Sequence, residues 1–445
     1  MKKIAALVFA AFLAFAATAQ AGGLTILRDE ETEQALKSMS RPVFEQAGLA
    51  PNDVRFIIVN DSSLNAFVAG GQNIFIHTGL VLETETAEEL LGVIAHEAGH
   101  IASGHLFRGR NEAAGLSIQA FLANLLGIAV AIGTQTPGAG IAIGSASNTI
   151  AMRTLLRHTR TDEGSADQAG VRFLRSANLP ITGLLGFMKK LESQELLPES
   201  QQSEYVRTHP LTQDRVEAVQ HAVDTSPPGS SPPEWKELHQ RMKAKLLGYL
   251  FPDKALLVKD ESIAARYGRA QAHFRKGQSE KALAEMAGLL KAEPKNPYFH
   301  ELRGQILFDA GKIEEAVKAY AEAAALAPLS ALIRLSYAQS LLESKQDKAA
   351  RLNEAIKQLT AALDIEKRIS EPHRMLAIAY GKRGQEGLSR LHLAEEALML
   401  GKPDFAKREA TLAMANLQKS TPAYLRAEDI KTAAETAEKR KKKEE

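Results

Sequence analysis

In the second half of this 445-residue chain the same residues return every 34 positions: Gly277 and Gly311, Ala282 and Ala316, Pro294 and Pro328. Each unit reads as a helix, a Gly turn, an Ala-started helix and a Pro stop. A unit that short cannot bury its own apolar face and must stack on a neighbour. Stacking at a fixed period leaves few folds open. It dictates an all-helical superhelix with a concave groove, which suits binding of a peptide or protein and supplies no chemistry. Any reaction the chain performs has to reside elsewhere.

Gly304, Leu307, Ala316, Tyr320 and Pro328 fall on the tetratricopeptide signature. A third unit starts near Ala331, with extra residues around Lys345–Leu352. A fourth starts near Ser370 and reaches Gly384 at the place Gly277 holds in the first. Upstream, Thr225 to Pro233 reads TSPPGSSPP, which cannot continue a helix and makes a semi-rigid spacer. The repeat domain is expected over 234–430 with a charged tail at 431–445, a solvated helix that frays.

At the other end, Lys2 and Lys3 lead an apolar run from Ile4 to Ala17, and Ala19-Gln20-Ala21 has the small-x-small form of a cleavage site. Residues 1–21 therefore read as a secretory signal, and the run is too short for a comfortable membrane span. Lys+Arg number 55 and Asp+Glu 53, so losing two lysines leaves a neutral mature chain. That balance argues against a nucleic-acid partner, whose affinity would need clustered positive charge. There is no cysteine, which excludes disulfides, thiol nucleophiles and Cys-ligated metals. Any metal must be held by His, Asp and Glu.

The segment between signal and spacer mixes short β-type runs with helices. Val54–Asn60, Leu64–Ala69 and Asn73–His77 read as strands, with Gly70-Gly71 as a turn. Thr86 and Glu89 match a capping box at the head of a helix whose Leu90, Leu91, Ile94, Ala98 and Ile101 recur at helical spacing. Inside that helix lies His96-Glu97-Ala98-Gly99-His100. Two histidines at i and i+4 project from one face and can share one zinc ion, and the Glu between them sits where it can take a proton from water. A catalytic zinc needs a third protein ligand. His105 falls on the opposite helical face and reads as a structural residue. Glu163 is the better candidate: Glu163 and Asp167 are i and i+4 in a second helical stretch, so one carboxylate can bind metal while the other holds a ligand histidine N–H.

These residues resemble the gluzincin metallopeptidases, within the clan of HtpX and the CAAX prenyl proteases. Asn65-Ala66-Phe67 with Gly79-Leu80, Glu163-x-x-x-Asp167, and Thr208-His209-Pro210 with Arg215 resemble further motifs of that clan over about Asn52–Asp224. The resemblance implies an α+β zincin-like metallopeptidase domain over 22–224, mostly helical with a small sheet, ahead of the all-α tetratricopeptide-repeat superhelix. It implies one zinc ion per chain on His96, His100 and Glu163, and Glu97 as the catalytic base. It places His209 beside the zinc, either stabilising the oxyanion or filling the open metal position and holding the enzyme latent. It gives Asp167 and Arg215 supporting roles, with Arg215 paired to an active-site carboxylate, and Asn65 a role in positioning substrate along an edge strand. Export plus repeats makes the chain similar to a BepA-like periplasmic group. That likeness implies unfolded or misassembled outer-membrane β-barrel proteins as substrates, and outer-membrane assembly machinery as a partner of the repeats. A chaperone or scaffold with a mostly latent peptidase site is the alternative. Phe121–Ile132 and the Gly- and Ala-rich sequence to Ile150 read as a buried hairpin or lid, or as a peripheral membrane contact.

Overall fold

The structure is a computed structural model that describes residues 25–104, 160–195, 197–198 and 201–444. The signal at 1–21, His105 and the stretch 121–150 lie outside the described residues.

Four strands form one sheet in the order β1-β2-β4-β3: β1 Ile26–Leu27, β2 Arg55–Val59, β3 Ala66–Ala69 and β4 Asn73–His77. β2 and β4 run parallel, with Phe56 opposite Ile74 and Ile58 opposite Ile76. β1 joins β2, and β3 joins β4, both antiparallel. The β3–β4 hairpin turns on Gly70 and Gly71, both left-handed at φ 61° and 97°. The turn has three residues, Gly70-Gly71-Gln72, and Gly adopts the left-handed backbone without steric cost. β3 is one residue pair shorter than its sequence suggests, since Leu64 and Asn65 precede the ladder, although Asn65 O still accepts from His77 N at 3.0 Å. β1 and the parallel pairing carry no local sequence signal; the pairing is set by the non-local crossover that puts β4 between β2 and β3.

Helix α1, Glu30–Gln46, starts at Asp29, whose side chain accepts from Thr32 N at 2.8 Å. It buries Leu36, Met39 and Val43 on one face. Helix α2, Thr78–Glu83, follows β4 directly. Helix α3, Ala87–Ala102, is capped by Thr86, whose hydroxyl accepts from Glu89 N at 3.2 Å. The Glu89 carboxylate accepts from Glu85 N at 2.8 Å, so the return half of the capping box is made one residue upstream. α3 carries the His-Glu-x-x-His run and is buried almost all round by α4, Arg160–Ser176, and α5, Thr182–Glu195. α3 and α4 cross at two glycines. A Cβ on Gly99 would lie 2.6 Å from Ala166 O, and one on Gly170 would lie 3.1 Å from Ala95 C and O. That close approach brings the His96 face of α3 against the Glu163 face of α4.

Short helix α6, Glu204–Thr208, and α7, Gln213–Asp224, complete this region. After the Pro/Ser-rich spacer, α8, Glu234–Leu250, buries Trp235, Met242 and Leu246 in the same apolar core as α1 and α3. The first core thus extends past the spacer. Helical hairpins follow: α9 Pro252–Leu256, α10 Ile263–Arg275, α11 Ser279–Ala292, α12 Pro297–Asp309, α13 Ile313–Leu326, α14 Ala331–Glu343, α15 Lys348–Ile365, α16 Glu371–Lys382, α17 Glu386–Met399, α18 Pro403–Asn416 and α19 Pro422–Glu444. Gly277, Gly311 and Gly384 hold equivalent turns with φ of 69°, 74° and 73°. The Tyr320 ring lies 3.0 Å from where a Gly304 Cβ would sit, which explains that signature pair. Apolar packing is divided into small clusters between neighbouring helices, such as Tyr267, Met286 and Phe299, as nearest-neighbour stacking requires. The packed face of α19 runs to Ala434.

The two regions also meet through charge. At the head of α1, Lys245 Nζ on α8 lies 2.5 Å from Asp29 Oδ2 and 3.2 Å from Glu31 Oε2. Tyr267 Oη donates to Glu31 Oε2 at 2.8 Å, and Arg28 Nη2 reaches Glu366 at 2.9 Å. Among the described residues no helix is long and apolar enough to cross a membrane.

Candidate metal centre

His96 and His100 project from the buried face of α3, and Glu163 enters from the first turn of α4. His96 Nε2 lies 3.0 Å from His100 Nε2 and 3.4 Å from Glu163 Oε2, and His100 Nε2 lies 3.2 Å from Glu163 Oε1. His209, just past α6, brings Nδ1 to 3.1 Å from Glu163 Oε1 and 3.4 Å from His96 Nε2. All four side chains are buried, and their ligand atoms lie within 4.8 Å of one another. Ligand atoms at about 2.0–2.2 Å from a tetrahedral ion stand about 3.3–3.6 Å apart, and these separations of 3.0–3.4 Å come close to that.

Protonation supports the same reading. His96 Nδ1 is 2.8 Å from Asp167 Oδ1, and a carboxylate only accepts, so Nδ1 carries the proton and Nε2 presents its lone pair to the cluster. Asp167 is itself gripped by Arg215, with Nε 2.5 Å from Oδ2 and Nη2 2.9 Å from Oδ1. Arg215 Nη1 also reaches Glu163 Oε2 at 3.0 Å and donates to Pro210 O at 2.7 Å. Burial lifts the Glu97 carboxyl above its ordinary range, and both its oxygens are buried without a hydrogen-bond partner among the described residues. Burial alone would depress His96, but the Glu163 and Asp167 carboxylates outweigh it and hold it up at about 10. Burial pushes His100 down to about 3 against the opposing pull of Glu163. Burial would raise Glu163, yet His209 and His96 hold it well below the usual carboxylate range. Once an ion takes the place of the His96 proton and the imidazoles are neutral, Glu97, Glu163 and Asp167 against Arg215 leave two negative charges in a closed space. A divalent cation answers that charge, and the orphaned Glu97 oxygens fit a water beside it.

The sequence-predicted residues His96, Glu97, His100, Glu163, Asp167, His209 and Arg215 therefore converge at one place. Asn65 is buried at its edge, where Thr208 Oγ1 lies 3.5 Å from Asn65 Oδ1. The sequence does not single out the Tyr205 ring, stacked on His209 at 4.6 Å, or the Ala66 carbonyl 3.2 Å from His209 Nε2. It also gives no sign of a smaller group formed by Asp61, His77 and Glu204. Ser63 Oγ bridges that group, 2.9 Å from His77 Nδ1 and 3.3 Å from Glu204 Oε2. A single His at a strand end is indistinguishable in sequence from a packing residue.

Residues 30–223 match the profile of peptidase family M48, and residues 267–331 and 301–364 match that of the tetratricopeptide repeat. The chain is 24% identical over 336 residues to the beta-barrel assembly-enhancing protease of Yersinia pestis, covering 73% of this chain and 68% of that one. It is 23% identical over 340 residues to the beta-barrel assembly-enhancing protease of Escherichia coli K12, covering 74% and 69%. Over 171 residues it is 27% identical to the metalloprotease LoiP of Escherichia coli K12, covering 37% of this chain and 61% of that protein.

Proposed function

Because this chain is a metallopeptidase whose residues 30–223 form a domain of peptidase family M48, we propose that it is a periplasmic zinc endopeptidase kept latent by His209 until a client opens it. The observation that carries the reading is the four-atom set of His96, His100, Glu163 and His209, with Glu97 buried beside it, its oxygens without a hydrogen bond among the described residues and one of them 3.5 Å from His209 Nε2. His96, His100 and Glu163 would hold the ion, and His/His/Glu ligation next to a hydrolytic Glu favours zinc. The ion supplies Lewis acidity to a water and to the scissile carbonyl. Glu97 takes a proton from the attacking water and hands it to the leaving amine. Asp167 fixes the His96 tautomer through Nδ1, and Arg215 holds Asp167 in place. Asn65 leads into the edge strand along which an extended substrate lies.

Of the two roles open to His209, its Nδ1 position favours occupation of the fourth place in the set over oxyanion stabilisation. The names of the relatives support clients among outer-membrane β-barrel proteins, with the repeats recruiting client or assembly machinery. Residues 1–21 serve as the export signal in this reading. The test is cleavage of an unfolded β-barrel outer-membrane protein by the purified chain, with and without chelator, beside Glu97→Gln. Glu97→Gln is expected to lose about 10²–10⁴-fold in rate while keeping its metal. Unchanged cleavage by Glu97→Gln would refute the peptidase mechanism. Absent cleavage with unchanged cellular function would favour the chaperone alternative.

A further inference from the structure

A second group of ligand atoms lies outside the metal centre, where the sheet meets the head of α6. Asp61 follows β2, His77 closes β4 and Glu204 opens α6. One ligand atom from each lies within 4.8 Å of the others. Ser63 Oγ stands among them, 2.9 Å from His77 Nδ1 and 3.3 Å from Glu204 Oε2, and Asp61 Oδ1 is 4.0 Å from the same Nδ1. The His77 side chain is 3% exposed, and its Nε2 is buried with no hydrogen-bond partner among the described residues. The ring is therefore directed through Nδ1, into the group. Burial holds the imidazole below its ordinary range against the pull of Asp61 and Glu204, so the ring is neutral. With its proton on Nε2, Nδ1 offers a lone pair to the space that the Asp61, Ser63 and Glu204 oxygens face. The loop carrying Asp61 and Ser63 is fixed in advance. Asp61 O accepts from Gly79 N and from Thr78 Oγ1, both at 2.9 Å, and Asp61 Oδ1 accepts from Ser63 N at 2.8 Å. A Cβ on Gly79 would lie 2.3 Å from Ser62 O and 2.4 Å from Ser63 O, so the loop sits directly on the β4–α2 junction. Glu204 is held from the other side: Ser203 caps α6, and Tyr205 N donates to Leu64 O at 3.1 Å. The Asp61 side chain is 39% exposed, which gives an ion a way in.

We propose that Asp61, Ser63, His77 and Glu204 form a second metal site, taken by a divalent first-row transition ion that clasps α6 to the sheet. An octahedral ion with ligands at about 2.1–2.3 Å sets neighbours about 3.0–3.3 Å apart and opposites about 4.2–4.6 Å apart. The two separations at Ser63 Oγ come close to the first, and the 4.0 Å between Asp61 and His77 approaches the second. Two carboxylates, a hydroxyl and one imidazole, with water at the open mouth, suit six-coordinate Mn²⁺, whereas the closed His/His/Glu centre suits tetrahedral zinc. The imidazole weighs against Mg²⁺ and Ca²⁺, which take oxygen ligands. Geometry thus sorts the two ions between the two sites. The consequence is mechanical. A five-residue helix is not stable by itself, so α6 stays where its contacts hold it. An ion that joins the loop, the strand end and α6 adds one more tie, and stabilises that docking in proportion to its occupancy.

The test loads the full chain with a single equivalent of zinc and titrates it with Mn²⁺, the weakest competitor for a nitrogen-rich site among these ions. Loss of the free-ion electron paramagnetic resonance signal counts bound Mn²⁺, and spin-echo modulation detects a coordinated imidazole nitrogen. A single Mn²⁺ per chain is expected to bind with all zinc retained, and to show that nitrogen coupling. Asp61→Asn and Glu204→Gln, both at partly exposed side chains, are each expected to weaken it about tenfold or more, since loss of even a supporting partner costs about 10–100-fold. His77→Gln is expected to abolish the nitrogen coupling. Hydrogen exchange reads the clasp: the amides of 204–208 should slow about tenfold once Mn²⁺ stands about ten times above its Kd, and should not slow in Glu204→Gln at that concentration. No Mn²⁺ bound beyond the zinc would overturn the site, and so would Mn²⁺ taken up only as zinc is lost. Mn²⁺ bound without a nitrogen coupling, or with equal affinity in both carboxylate variants, would overturn it as well. Bound Mn²⁺ that leaves exchange at 204–208 unchanged would overturn the clasp.

Discussion

Two clusters of buried carboxylates lie in this molecule, and they are balanced in opposite ways. In the metal centre Glu163 and Asp167 face imidazoles and the Arg215 guanidinium, which hold both below their ordinary range against the pull of burial. At the seam between α1 and the repeats, Asp29, Glu31 and Glu301 share one ammonium, that of Lys245, and Glu30 beside them faces Lys37. There Lys245 holds Asp29 down against burial, but burial wins at the other three: Glu30 and Glu31 are raised, and Glu301 is pushed up to about 8, with the neighbouring carboxylates adding to the rise. The first cluster has lone-pair nitrogens interleaved with its oxygens and fits a divalent ion. The second is oxygen only, and its excess charge is removed by protons. Burial of acids is therefore no sign of a metal site. The partner atoms and their spacing decide.

The largest expected contrast is in pH. The Glu301 carboxyl titrates near 8 in the folded chain and near its ordinary 4.5 when unfolded. The folded state holds the extra proton between those values, so stability falls as pH rises from about 4.5 to 8 and levels off above. The slope is at most about 1.4 kcal/mol per pH unit. Glu301→Gln should flatten it and raise the Tm at pH 8, with little change at pH 4.5, as read by thermal melts of the full chain. An identical slope in the variant would place the effect elsewhere.

In the metal centre the corresponding change is Asp167→Asn. It keeps the shape, removes the charge that orients His96, and strands Arg215. Loss of such a supporting carboxylate typically weakens metal binding by about 10–100-fold. Competition with a chelator of known affinity would measure it, with the fold checked by circular dichroism. Unaltered affinity would mean that Asp167 serves packing alone.

The smallest effects come from glycines, and they sharpen the regional difference. Gly99→Ala pushes α3 off Ala166 and should cost about 1–3 kcal/mol, together with metal affinity, because it moves His96 and His100 away from Glu163. Gly277→Ala has open space around it and suffers only from its left-handed backbone, at about 1 kcal/mol, with no effect on metal. Urea titrations and metal content on both variants make the comparison. Equal loss of metal in both would mean that the repeats and the centre unfold as one unit.

Much of this was legible in the sequence wherever the signal is periodic or local. The 34-residue recurrence of Gly277 and Gly311 foretells helical hairpins with left-handed turns, and both glycines adopt them. The i, i+4 spacing of His96 and His100 on a Thr86-capped helix puts both rings on one buried face. Glu163 and Asp167 share a face for the same reason and meet imidazole nitrogens, of His100 and His96 respectively. What stayed hidden depends on contacts far apart in the chain. The parallel pairing of β2 with β4 has no local signature. Neither has Lys245 beside Asp29, nor Tyr205 N against Leu64 O. The backbone acceptor at Ala66 is invisible in any side-chain motif, although it defines what His209 is holding.

The central claim is that His209 holds a competent peptidase site shut. The most direct measurement compares wild type with His209→Ala in cleavage of an unfolded β-barrel protein, with zinc content determined on the same preparations. The account predicts faster cleavage by His209→Ala at equal zinc content, since both the fourth metal position and Ala66 O become available. Loss of cleavage at equal zinc content would contradict it and make His209 a stabiliser of the transition state.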